Sequence, residues 1–175
     1  MLSTEKILLR MVEPEDATKL LIWENNPENW KVTDTEVPFS MHAIKMLIEQ
    51  QQQIRSTGQL RMMICLNDNS EEPIGAIDLY DVDFKNKNAS VGILIGDKMN
   101  RGKGYAKDAL EIIIKYALNN LSLHNLVCSI QATNIESIRL FESMGFEKIG
   151  RRKEWFLIRN NRVDEILYQL CLEKK

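Results

Sequence analysis

Apolar residues recur at steps of three and four through Ala106, Ala109, Leu110, Ile113, Ile114, Ala117, Leu118 and Leu121. That spacing predicts a long helix with one buried face. The runs elsewhere are shorter. Residues 6–12 read as a first strand, and Pro14 then suits the first turn of a helix carrying Ala17, Leu20 and Leu21. Residues 25–40 contain Asn-Asn-Pro and Val-Pro and read as loop or broken helix. A second helix is expected over 41–55, with the glutamine run 50–53 on its exposed face. Strands follow at 60–66, 73–84 and 89–95, joined by turns rich in Asn and Asp. After the long helix comes a strand at 126–131. A helix then opens at Asn134-x-x-Ser137, turns Ile138, Phe141 and Met144 inward, and ends at Gly145. Gly145-Phe146 leads into another strand, and 163–172 makes the last. The order βααβββαβαββ predicts a mixed α/β (α+β) domain with a mostly antiparallel sheet.

Length and composition narrow the class. At 175 residues the chain reads as one domain, 1–175, able to bury roughly 70% of its unfolded surface. Hydrophobic residues make up 44% and charged residues 27%, enough for a packed core and too apolar for disorder. No apolar run reaches membrane-spanning length and no leader pattern opens the chain, so a cytoplasmic protein without a membrane partner is expected. Cys65, Cys128 and Cys171 are widely spaced within apolar runs and suit reduced core thiols. With only His42 and His124 as histidines, no metal site is expected.

Charge is unevenly spread although the net is −2, which argues against nucleic acid as partner. From Glu13 to Glu36 there are seven acidic and two basic residues. Between Asp68 and Asp83 there are six acids and no base, whereas Lys148 to Arg162 holds six bases and one acid. Two readings stay open. Either these are solvated faces, or an acidic side for a cationic amine stands apart from a basic side for a cofactor.

The stretch Arg101-Gly102-Lys103-Gly104-Tyr105-Ala106 follows the strand-like Val91–Ile95 run and opens the long helix. Two glycines there let backbone N–H groups converge, and a helix start carries unpaired N–H groups and partial positive charge. A phosphate or pyrophosphate is the expected ligand. The third glycine of a dinucleotide fingerprint and the Gly-Lys-Ser ending of an ATP loop are both missing. With Arg101, Gly104 and Ala106 matching Arg/Gln-x-x-Gly-x-Gly/Ala, the chain resembles the GCN5-related N-acetyltransferases, whose loop holds the pyrophosphate of acetyl-CoA. A second block, Asn134 to Phe146, looks like that family's Asn-x-x-Ser…Gly-Phe segment. Within the family the chain is most similar to spermidine acetyltransferases and ribosomal-protein N-terminal acetyltransferases.

The resemblance implies residue roles. Ile93, Leu94 and Ile95 would offer strand backbone to the pantetheine arm of acetyl-CoA, the acyl donor, and Arg101 through Ala106 would hold its pyrophosphate. Asn134 would bond the pantetheine region, and it also suits a helix N-cap. Relatives often place a proton-donating tyrosine where this chain has Phe141, so water or Ser137 would serve the leaving thiolate. Asp78 matches a carboxylate of spermidine-type relatives and is the candidate base or water relay, sharing a strand face with Ala76, Tyr80 and Val82. Glu24, Glu28, Asp34 and Glu36 are candidate anchors for a cationic acceptor, with Trp30 packing beside it. Trp23 and Trp155 read as core or pocket wall. A homodimer or larger homo-oligomer follows from the resemblance alone.

The implied chemistry is attack of a neutral primary amine on a thioester. An alkylammonium with a pKa near ~10.4 is neutral in about one molecule in 2,500 at pH 7, an α-amine with a pKa near ~8 in about one in ten. A polyamine or similar small cation therefore needs a base more than a protein N-terminus does, and a positioned base supplies roughly 10²–10⁴-fold. The acidic loop favours the small cation, and Phe141 favours the α-amine. A non-catalytic acyl-CoA sensor is the alternative of another class.

Overall fold

Strand β1 (Ile7–Met11) leads through a 3-10 turn at Pro14–Asp16 into helix α1 (Ala17–Glu24), where the proline places a helix start. Arg10 of β1 grips Asp16 with bonds of 2.7 and 2.8 Å, and Asp16 also accepts the Glu13 N–H at 2.8 Å. Burial alone would raise the Asp16 carboxyl, but the guanidinium and the N–H hold it below the usual carboxylate range. This pair fixes where α1 begins. The computed structural model describes residues 2–30, 36–51, 53–68, 70–158 and 160–173. Next come α2 (Pro27–Trp30), α3 (Met41–Gln50), α4 (Ile54–Thr57), β2 (Leu60–Leu66), β3 (Pro73–Asp83) and β4 (Asn88–Ile95). The chain ends with α5 (Tyr105–Asn119), β5 (Asn125–Gln131), α6 (Ile135–Ser143), β6 (Glu147–Ile158) and β7 (Asn161–Cys171).

The seven strands form one sheet in the order β1-β2-β3-β4-β5-β7-β6. Every neighbouring pair is antiparallel except β4 with β5. Alternation along β2 shows why helices must cover both faces. Met62 and Ile64 enter one core cluster while Met63 and Cys65 enter the other, and all four are buried. On the first face α5 buries Ala109, Leu110, Ile113 and Ala117, the stripe that its periodicity predicts. On the second, Leu20 and Trp23 of α1 and Ile44 and Ile48 of α3 pack against Met63, Cys65 and Ala76. Gly96, just past β4, is where Trp23 passes closest. A Cβ there would lie 2.2 Å from the indole, so only glycine lets α1 sit this near the strand end.

Several expectations are corrected. The helix expected over 41–55 is broken after Gln50. Gln53 has φ −116 and ψ 57, outside the helical region, and α4 is a separate turn closed by left-handed Gly58. Cys171 is exposed rather than a core thiol, because it ends the last strand. Trp155 is 56% exposed and belongs to neither core nor pocket wall. It lies on β6, at the sheet edge, where Arg152 stacks on its ring at 4.7 Å. The irregular register between Arg152 and Phe156 puts Glu154 at φ 52, which turns that stretch outward. Among the described residues no helix is long and apolar enough to cross a membrane.

Candidate active site

The parallel partners β4 and β5 pair at Asn88 with Asn125, Ala89 with Leu126 and Ser90 with Val127, and then diverge. Beyond Ser90, β4 keeps β3 on one side while β5 pairs with β7. Among the described residues the cleft leaves β4 without a strand partner on that side beyond Ser90, an edge that an extended ligand can join as an added strand. Ile93, Leu94 and Ile95 lie on that edge, where the resemblance places them.

A groove of about 700 Å³ continues from the edge across the start of α5. Ile93 through Ile95, Arg101, Gly102, Gly104, Tyr105 and Ala106 line it on one side, and Asn134, Ser137 and Leu140 of the α6 region on the other. Gly102 and Gly104 have φ of 74 and 88, the left-handed region, and Gly104 is the N-cap of α5. That backbone turns the helix's first N–H groups into the groove. Lys103 is exposed and outside the groove wall. Arg101 is turned back, its Nε donating to the Ile95 carbonyl at 3.1 Å and its Nη2 to Asn29 Oδ1 at 2.8 Å. It braces the loop against α2 and β4. Other cations line the groove instead: Lys98, Lys107 and Arg139, with Lys6 Nζ placed 3.6 Å from where a Gly104 Cβ would stand. Sequence reasoning missed these four. Lys107 and Arg139 lie within the first turns of their helices, a readable signal, whereas Lys6 comes from the bend before β1, about a hundred residues away. Among the described residues, none of the basic segment 148–162 lines the groove. Its Arg151 and Arg152 pair with Asp164 and Glu165 on β7.

Asn134 and Ser137 line this groove and the adjoining pocket alike. Asn134 Oδ1 accepts the Ser137 N–H at 3.2 Å, so the asparagine does cap α6. Asn134→Ala is expected to cost about 1 kcal/mol, a melting-point drop of about 2–4 °C at this chain length. Asn134→Ser is expected to restore the melting point by recapping the helix without restoring affinity for acetyl-CoA. Thermal unfolding and equilibrium binding of the two variants check this.

The pocket at the other end of the cleft holds about 460 Å³. Leu20, Trp23, Phe39, Leu47 and Phe156 supply apolar wall, and Glu24, Gln51, Arg61 and Asp78 supply its polar end. Asp78 faces Gly92 across the β3–β4 pair, and Ala76 faces Leu94, so the carboxylate rises from the sheet face that carries the β4 stretch lining the pocket. Arg61 Nε and Nη2 donate to the two Asp78 oxygens at 2.7 and 2.9 Å, and Nη1 donates to Glu24 Oε1 at 2.8 Å. Burial would lower the Arg61 guanidinium, but the two carboxylates overcome it and hold the group more firmly protonated than usual. Asp78, read from the sequence as a candidate base on a strand face with Ala76, Tyr80 and Val82, is thus an ion-paired carboxylate. Asp81 lies in the β3 irregularity at φ 51 and is exposed.

The other acceptor candidates separate. Glu24 is in the pocket, while Glu28 and Glu36 are exposed and outside its wall. Asp34 lies outside the described residues. Trp30 is half-buried, donates Nε1–H to the Glu24 carbonyl at 2.5 Å, and is not a wall residue. Phe141 does line the pocket, packed edge-to-face on Phe146 with centroids 5.0 Å apart. Cys128 shares that wall, and burial pushes its thiol up to about 12. Among the described residues no group of His, Cys, Asp and Glu is placed to hold a metal.

Residues 6–147 match the family model described as an acetyltransferase (GNAT) domain. An uncharacterized N-acetyltransferase, p20, from Bacillus licheniformis is 25% identical over 97% of this chain and 94% of its own length. The spermidine N(1)-acetyltransferase of Vibrio cholerae is 26% identical over 63% of this chain and 62% of its own. A crystal structure of the Vibrio cholerae spermidine N-acetyltransferase, in complex with CoA and spermine, superposes with a TM-score of 0.87 at 21% identity, covering 97% of both chains.

Proposed function

We propose, for a chain that belongs to the GNAT acetyltransferase family, transfer of an acetyl group from acetyl-CoA to a primary amine of a small cationic acceptor, polyamines included. The observation that carries this is the polar end formed by Glu24, Arg61 and Asp78, set beside the open β4 edge. The groove fits acetyl-CoA on three counts: a strand edge free to pair, a left-handed glycine cradle at a helix start, and Lys98, Lys107 and Arg139 along its walls. Ile93 to Ile95 would align the donor's arm, Gly102 to Ala106 its phosphates, and Asn134 the region between. When bound, the donor supplies an activated thioester, and the chain's residues do the rest.

Glu24 and Asp78 attract the ammonium and fix its direction. It must then lose a proton, and the Asp78 lone pairs left over by Arg61 receive it directly or through a water. A thiol with a pKa near ~8.5 leaves readily, so Phe141 is no obstacle and the Ser137 hydroxyl is the donor on hand. Cys128, protonated at neutral pH, is unsuited to carry the acetyl group, which favours direct transfer.

A second reading, the α-amine of a protein N-terminus, is favoured by Phe141 and by the neutralisation of one of the two acids. The experiment is transfer from isotope-labelled acetyl-CoA to a pool of alkylamines, diamines, spermidine and peptides with free or blocked N-termini, read by mass spectrometry. Labelled small amine is the expected result. Label on peptides alone, and only with a free N-terminus, selects the second reading. Acetyl-CoA bound without any labelled product selects a non-catalytic acyl-CoA sensor. Assembly as a homodimer or larger oligomer is part of the proposal, and light scattering measures it.

A further inference from the structure

Resting on the small-amine reading, one question remains: how much positive charge the acceptor carries near its reacting end. Two carboxylates in one pocket attract an ammonium strongly, and they also keep it protonated, which is its unreactive form. Arg61 stands between them, its side chain only 15% exposed and its donors directed at both. The two acids and the one base leave the pocket a formal charge of −1.

Gln51 adds an independent observation. It is 7% exposed, lines the same pocket, and its Oε1 is buried with no hydrogen-bond partner among the described residues. A buried acceptor without a donor is costly, and an amine that keeps N–H bonds after docking supplies one. Leu20, Phe39 and Leu47 give the adjoining wall an alkyl-binding character without further charge.

We propose that Arg61 sets the charge class of the acceptor. By taking up one of the two carboxylate charges, it tunes the pocket to prefer, within the small-amine class, an amine bearing a single positive charge, held by Glu24, Asp78 and Gln51, with multiply charged polyamines as poorer acceptors. A second ammonium entering the pocket meets the guanidinium rather than a free acid. The charged and titratable groups facing the docked amine are Glu24 from α1, Arg61 from β2, Asp78 and Tyr80 from β3, and Cys128 from β5.

The test compares kcat/KM for butylamine, 1,4-diaminobutane and spermidine in the full chain and in Glu24→Gln and Arg61→Met, with folding and acetyl-CoA affinity measured alongside. The unmodified protein is expected to prefer butylamine over spermidine at least tenfold. Glu24→Gln keeps the two-bond Arg61–Asp78 pair and removes one negative charge. It is expected to raise KM for butylamine about tenfold and to move the amine limb of the pH profile to lower pH. Arg61→Met raises the pocket's negative charge and is expected to shift the preference at least tenfold toward spermidine. If that variant fails to fold, Glu24→Gln alone decides. Turnover with spermidine preferred by the unmodified protein, or an unchanged KM and pH profile in Glu24→Gln, overturns the assignment of Arg61 and leaves the small-amine reading standing. No small amine turned over, with acetyl-CoA bound, overturns both.

Discussion

Gly104→Glu is expected to weaken acetyl-CoA binding at least a hundredfold, with the protein still folded. Gly104 sits at φ 88, so any side chain there carries left-handed strain of about 1–3 kcal/mol. The new side chain would grow from a position whose Cβ meets only Lys6 Nζ at 3.6 Å, so nothing in the core is crushed and the fold survives. The glutamate carboxylate then competes for the N–H groups at the start of α5 and for Lys6, the groups proposed to receive a phosphate. A carboxylate at a helix start is ordinarily stabilising, which offsets part of the strain and makes binding, not folding, the quantity that falls. Two factors of ten correspond to about 2.8 kcal/mol, within reach of a like charge placed against phosphates. Gly104→Ala separates the causes, because it keeps the strain without the charge and is expected to lose less than tenfold. Titration calorimetry with acetyl-CoA checks both. Unchanged affinity in a folded Gly104→Glu protein would remove the phosphates from this loop.

The backbone of this loop was legible in the sequence because its determinants are local, whereas the turn of Arg101 toward Asn29, 72 positions away, and the approach of Lys6 were not. Glycine spacing, a preceding apolar run and a following 3.6-residue stripe lie within about thirty consecutive residues. The helix α5 and the strands β2 to β4 were legible for the same reason. The polar end of the acceptor pocket was not. Arg61 stands in the apolar strand Leu60–Leu66 and carries no local signal of its role, since its partners Glu24 and Asp78 lie 37 and 17 positions away. Only the register that sets Arg61 against Asp78 brings them together. Gln51 reads as one of a run of exposed glutamines, yet α3 ends beside it and the residue turns inward. Trp155 fails in the opposite sense. An aromatic in a strand suggests a wall, but on an edge strand the outward face has nothing to pack against.

Asp78→Asn is expected to lower the rate of acetyl transfer about a hundredfold while leaving acetyl-CoA affinity within twofold. The separation follows from geometry. Asp78 lines the pocket proposed for the acceptor, and the groove proposed for the phosphates is walled by other residues. The asparagine keeps the shape but loses the charge. Its amide can return one acceptor to Arg61, and the Glu24 bond at 2.8 Å remains. The buried guanidinium is therefore weakened rather than stranded, at a cost of about 1–3 kcal/mol, so folding has to be measured beside activity. Two parts of the rate loss can be told apart. If Asp78 only attracts the ammonium, KM rises and kcat holds. If it also receives the proton, kcat falls at neutral pH and recovers as rising pH makes more of the amine neutral before it binds. The second pattern is the expected one, because at pH 7 only about one alkylamine molecule in 2,500 arrives deprotonated. Supplying that proton acceptor is worth the 10²–10⁴-fold typical of a positioned base. Steady-state kinetics across pH, with the amine varied at saturating acetyl-CoA, resolve the two. Rates equal to the unmodified protein at every pH would remove Asp78 from the mechanism.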